Sequence, residues 1–147
     1  SFGPINLDGY GKYLASNTTS VILGLPDTGS AALDFTEAGT TPSATNSDIP
    51  FTYSSTNVVT APTFASGNNP GRTTLTINKS SGAINGTFSL IDSSPALTRA
   101  VTYQGMVIRF DSGNVIAKGY FLLPQKPLAG QTILTSPILS GSMKIIQ

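Results

Sequence analysis

Histidine, cysteine and tryptophan are all absent from the 147 residues, and each absence removes a class of chemistry. Without histidine and cysteine the commonest zinc and copper ligands are gone, and Ser-His-Asp and Cys-His nucleophilic catalysis are excluded. No Ser-x-x-Lys spacing occurs to offer a lysine-activated serine. Lack of cysteine also excludes disulfides, yet a domain of this length can bury enough surface to fold without staples. The missing tryptophan removes the largest platform on which a sugar ring stacks.

Charge is scarce as well. Charged residues make up 10% of the chain, against roughly 25% in ordinary domains. The net charge of +1 comes from Lys12, Arg72, Lys79, Arg99, Arg109, Lys118, Lys126 and Lys144 against seven acids. These cations are dispersed and do not alternate with aromatics, so a phosphate-tracking groove is not expected and nucleic acid is not a partner. No apolar run approaches the roughly 20 residues of a membrane-spanning helix.

The acids are Glu37 and six aspartates. Asp8, Asp27, Asp48, Asp92 and Asp111 each stand beside Gly, Thr, Ser or Pro, as turn-forming aspartates do. Asp34, in Ala32-Leu33-Asp34-Phe35, has an apolar setting and reads as an edge-strand or rim residue rather than a catalytic acid. Asp111-x-Gly113-Asn114 and Asp8-Gly9 carry oxygen ligands, but calcium commonly takes two or more nearby carboxylates. Both therefore read as turns. The expectation is no catalytic residue, no metal and no cofactor.

What the chain has in excess is hydroxyl and amide: 18 Ser, 19 Thr and 9 Asn, with 39% apolar residues and a mean hydropathy of +0.10. Such a coat, in place of charge, suits a secreted or cell-surface β-protein. The opening Ser1-Phe2-Gly3-Pro4 reads as a mature or trimmed start.

Helix signals are confined to Ser30–Ala38, whereas β-branched and aromatic runs separated by Gly, Pro, Asn and Ser recur throughout. In the better-patterned sub-half 71–147, Thr73–Asn78 and the strand bearing Ile84, Gly86, Phe88 and Leu90 form a hairpin around Lys79–Gly82. Asp92-Ser93-Ser94-Pro95 breaks that pair. Val101–Phe110 and Val115–Leu123 form a second hairpin around Asp111–Asn114. Pro124–Pro127 ends it, and Ile138–Ile146 supplies a last strand. In the looser sub-half 1–70, Tyr10–Ala15, Val21–Leu25, Ala32–Thr36 and Phe51–Val59 are expected strands. Thr40–Pro50 and Ser66–Gly71 are polar loops. The expected fold is all-β, one domain over 1–147: an antiparallel β-sandwich or closed barrel of about eight to ten short strands.

Alternation places Leu75, Ile77, Ile84, Phe88, Leu90, Val101, Tyr103, Val107, Phe121, Leu123 and Ile145 in the core. Gly86, Gly105, Gly119 and Gly141 fall inside strands. They either bend successive strands toward barrel closure or relieve crowding beneath Phe88, Tyr103 and Phe121.

Three ligand candidates are Tyr10, Tyr13 and Tyr53, because amphipathic rings beside amides suit sugars. The first two lie in Asp8-Gly9-Tyr10-Gly11-Lys12-Tyr13, whose glycines can expose a ring face. Sequons occur at Asn17, Asn78 and Asn85, a number expected by chance in this composition.

Gly82-Ala-Ile-Asn-Gly-Thr-Phe88, Val101-Thr-Tyr-Gln-Gly-Met-Val107, Gly119-Tyr-Phe-Leu122 and Ser140-Gly-Ser-Met-Lys-Ile145 follow one another in the second half. Together, from Thr73 to Gln147, they resemble a small β-module found near the C termini of very large secreted bacterial surface proteins. The resemblance implies a surface or adhesive structural module and transfers no active site; the first half has no such match.

The leading functional expectation is thus an extracellular structural or adhesive β-module, partnered by copies of itself or by other surface proteins. Assembly segments are expected at Phe2, Ile5 and Leu7 at one end and Ile145 and Ile146 at the other, as open strand edges that a neighbour's sheet could extend. The alternative is a carbohydrate-binding module using exposed tyrosines. An enzyme is the least favoured reading.

Overall fold

The computed structural model describes residues 29–37, 49–54, 56, 58–61, 63, 69–93, 96–108 and 115–146. Eight strands occupy them: β1 Gly29–Glu37, β2 Ile49–Tyr53, β3 Val59–Thr60, β4 Thr76–Ile77, β5 Ala83–Ser93, β6 Ala96–Val107, β7 Val115–Pro124 and β8 Ile138–Ile146. No helix occurs among the described residues. The fold is all-β, and every strand pair is antiparallel.

The strands run β3-β2-β1-β8-β7-β6-β5-β4 across the sheet. Two local meanders, β1 to β3 and β4 to β8, are joined where β1 pairs with β8, Leu33 standing opposite Ile145. The order has two free ends, β3 and β4, so among the described residues the sheet is open and the expected closed barrel is not formed. The reason lies in the edges. Among the described residues each is a two-residue strand, and no hydrogen-bonded ladder joins one to the other.

Alternation decides which face is buried. Along β2 the pattern is strict: Ile49, Phe51 and Tyr53 are buried while Pro50 and Thr52 are exposed. The same period continues through Ile84, Phe88 and Leu90 on β5 and Val101, Tyr103 and Val107 on β6. Phe121 and Leu123 on β7 and Met143 and Ile145 on β8 complete it, and all belong to one cluster. Leu75 and Ile77, expected inside, pack against it half-buried, because Ile77 belongs to the short edge strand β4 and Leu75 immediately precedes it.

Side-chain caps fix the turns. At the β4–β5 turn, Asn78 Oδ1 accepts from the Ser80 and Ser81 amides at 2.9 and 3.1 Å. Gly82, with φ of +75°, turns the chain back and donates to the Asn78 carbonyl. The expected strand Phe51–Val59 is interrupted: Ser54 Oγ accepts from the Thr56 and Val58 amides, so the chain reverses and β3 returns against β2.

Asp92 departs from its expected turn role. It is a β5 residue opposite Leu97, and its carboxylate takes both Nε and Nη2 of Arg99 at 2.9 and 3.2 Å. Arg99 Nη1 also donates to the Pro124 carbonyl at 2.8 Å. This fork-like pair ties β5, β6 and β7 at one end of the core. Asp34 stands opposite Lys144 of β8, one residue beyond the end of the β1–β2 pairing at Leu33.

Tyr103 makes a testable link between packing and pH. Its ring is fully buried, its hydroxyl donates to the Thr74 carbonyl, and burial pushes its pKa well above the ordinary value of 10.0. The folded state therefore prefers the neutral phenol, while the unfolded chain ionises near pH 10. The contribution is complete below that pH and is lost as pH rises above it. The urea midpoint should fall between pH 9 and about 11, in the region of the tyrosine pKa, and fall less in Tyr103→Phe. That variant should start about 1–3 kcal/mol less stable because the Thr74 carbonyl loses its donor. An equal alkaline fall in both proteins would assign the effect to other groups.

Candidate functional site

Four inward glycines set the shape of the second meander. Gly86, Tyr103, Phe121 and Gly141 form one cross-strand row over β5 to β8, and Ile84, Gly105, Gly119 and Met143 form the next. A Cβ at Gly86 would lie 2.3 Å from the Tyr103 hydroxyl, and one at Gly141 would lie 2.2 Å from the Phe121 ring. Each glycine thus makes room for the large side chain opposite it, and Met143 fills the space over Gly105. All four are paired in register; the one register shift in these strands lies between Val115 and Ala117. Relief of crowding accounts for Gly86, Gly141 and Gly105, beneath Tyr103, Phe121 and Met143 rather than Phe88; at Gly119 the close atoms are β6 backbone, and none of the four sits at a bulge.

The consequence for function is on the opposite face. Gly105 and Gly119 stand directly opposite one another, flanked by the outward pairs Gln104–Tyr120 and Met106–Lys118. Directly opposed side chains on one face sit about 4.5–5.5 Å apart at Cβ. With Ile108 they line a groove of about 530 Å³ whose floor is the Gly105–Gly119 backbone.

Beside this groove runs an apolar stripe. Tyr120 is 55% exposed, Leu122 54% and Ile138 59%, and Met106 is 41% exposed. Tyr120, Leu122 and Pro124 are alternate residues of β7, and Ile138 stands opposite Pro124. Ser140 and Ser142 flank the stripe on the β8 side, and Gln104 on the β6 side. A stripe of this kind on an interior strand, with hydroxyls and amides around it, is a surface suited to contact.

The residues expected to bind are distributed differently. Tyr53 is 5% exposed and belongs to the core; it lies in phase with Ile49 and Phe51, so its ring cannot stack on a ligand. Tyr10, Tyr13, Phe2, Ile5 and Leu7 lie outside the described residues. Ile145 is fully buried, and β8 is hydrogen-bonded to both β1 and β7. Ile145 and Ile146 therefore belong to an interior strand and present no open edge to a neighbouring chain.

Tyr120 and Leu122 were the residues that strand logic could have found. In the run Tyr120-Phe121-Leu122-Leu123, alternation requires two of the four to face outward, and Phe121 and Leu123 take the core.

Among the described residues no group of three or more potential metal-ligating side chains occurs. No helix in them is long and apolar enough to cross a membrane. No family model, curated protein or solved structure matches this chain.

Proposed function

We propose that this chain is an extracellular structural or adhesive β-module that works through the outer face of its sheet. The observation that carries the reading is the exposed stripe of Tyr120, Leu122 and Ile138, with half-buried Pro124 between the last two, on a face bounded by hydroxyls and amides. Water-exposed apolar side chains lining an interior strand gain by being covered. Low charge favours the same outcome, since little repulsion keeps copies or surface partners apart. A hydroxyl-rich surface fits an extracellular setting, and copies of the chain or other surface proteins are the partners it suits.

Association by strand addition is the less favoured route. Among the described residues both free edge strands are two residues long, the kind of blunted edge that discourages a neighbouring chain. Architecturally, we read the sheet as curling toward a sandwich. Ile49, Phe51 and Tyr53 near one end share a single cluster with Phe88 and Tyr103 near the other.

Sedimentation velocity over a wide concentration range tests the reading. The wild-type chain should gain mass with concentration, and Leu122→Glu should weaken association about tenfold or more by burying an unpaired carboxylate. The same substitution should leave the melting temperature nearly unchanged, because the site is at the surface. A wild-type chain that stays monomeric throughout overturns self-association through this face.

A further inference from the structure

We infer that the groove between β6 and β7 is a saccharide subsite that takes a neutral, β-linked pyranose chain, with one sugar ring stacked on Tyr120. The inference rests on the reading of the outer face as the contact surface and names a ligand for one part of it.

The chemistry of the lining carries the argument. Tyr120 offers an exposed ring from an interior strand, so the ring's base is held by hydrogen-bonded backbone on both sides. An aromatic face attracts the axial C–H surface of a pyranose, and its hydroxyl remains available at the wet end. Gln104, directly across from Tyr120, supplies both a donor and an acceptor, the pattern that two adjacent sugar hydroxyls require. Ser142 stands on the other side of Tyr120 and adds a hydroxyl to the same row. The bare Gly105–Gly119 floor lets a ring lie close to the sheet, and about 530 Å³ is within the usual range for small-ligand sites.

The same lining argues against other ligands. A single cation, Lys118, is among the seven lining residues, too little positive charge to track a polyanion. Gln104 would be left without water beneath a purely apolar partner, at a desolvation cost. An all-equatorial β-linked glucose or N-acetylglucosamine chain, flat and extended, matches an open groove floored by two glycines on the outer face of the sheet.

The test is a titration of the isotopically labelled full chain with cellohexaose and, separately, chitohexaose, followed by amide chemical shifts. Shifts should concentrate at Gln104, Gly105, Lys118, Gly119 and Tyr120 for at least one of the two. Tyr120→Ala should weaken that binding roughly tenfold, Tyr120→Phe by less than about threefold, and Gln104→Ala by an intermediate factor. Whichever hexasaccharide binds shows whether the sugar's second position carries a hydroxyl or an acetamido group. No shifts with either, or binding that survives Tyr120→Ala undiminished, overturns the inference. Sedimentation of the same samples separates it from the broader proposal. A chain that self-associates yet binds neither sugar keeps the structural reading and loses this one, and a monomer that binds does the reverse.

Discussion

Phe88→Ala should lower the unfolding free energy by about 3–5 kcal/mol, read as a large downward shift of the urea midpoint with little change in slope. Phe88 is 1% exposed at the centre of the cluster. Its ring meets Phe121 edge-on, with centroids 5.2 Å apart at 84°, and lies 6.4 Å from the Tyr103 ring. Truncation removes both contacts and leaves a cavity. The surrounding wall cannot collapse to fill it, because Tyr103 is held by its hydroxyl on Thr74 and Phe121 is seated over Gly141. A variant that melts with the parent would place Phe88 outside the core and refute the β5–β6 register.

The second large effect is expected at Gly119. A Cβ there would stand 2.1 Å from the Gln104 carbonyl oxygen and 2.6 Å from the Gly105 Cα. Both are backbone atoms of the paired strand, so no rotamer change relieves the clash and β6 and β7 must separate. Gly119→Ala should cost more than about 3 kcal/mol, beyond the usual range for overpacking. Gly130→Ala is the control. Gly130 has φ of +81° and nothing within 4 Å of its virtual Cβ, so backbone strain alone should cost about 1–2 kcal/mol. Equal melting temperatures for the two variants would show that the close approach at Gly105–Gly119 does not exist in solution.

The two variants also probe the site differently. The Gly105–Gly119 approach that forbids a side chain on the inner face makes the floor of the groove on the outer face. A Gly119→Ala chain that folds at all should therefore present an altered groove, whereas Gly130→Ala should leave it intact.

Much of the second meander could be read directly along the chain. The strand expected at Ile138–Ile146 is β8 with the same bounds, since Pro137 marks its start and alternation persists to Ile145. The nine core residues expected from Ile84 to Ile145 are all buried, because a half-buried strand shows its period locally. Local signals were weaker where a side chain rather than glycine or proline made the turn. Ser54 ended β2 by accepting backbone amides, and Ile49, expected in the loop Thr40–Pro50, was not seen to share an inward face with Phe51 and Tyr53.

Composition and period by themselves determined that this protein is all-β, that histidine- and cysteine-based chemistry is excluded, and which residues of the second half point inward. Each of these depends on residue type or on spacing within one strand. Only the tertiary structure decided what depends on which strands become neighbours. It set β8 in the interior between β1 and β7, removing Ile145 and Ile146 from any edge. Asp92 met Arg99 across the β5–β6 pair instead of capping a turn. Among the described tyrosines, Tyr120 rather than Tyr53 became the exposed ring, beside Gln104 and next to a floor of two glycines. Period-two alternation gives each strand two faces, but long-range pairing alone chooses which residues stand side by side on the outer one.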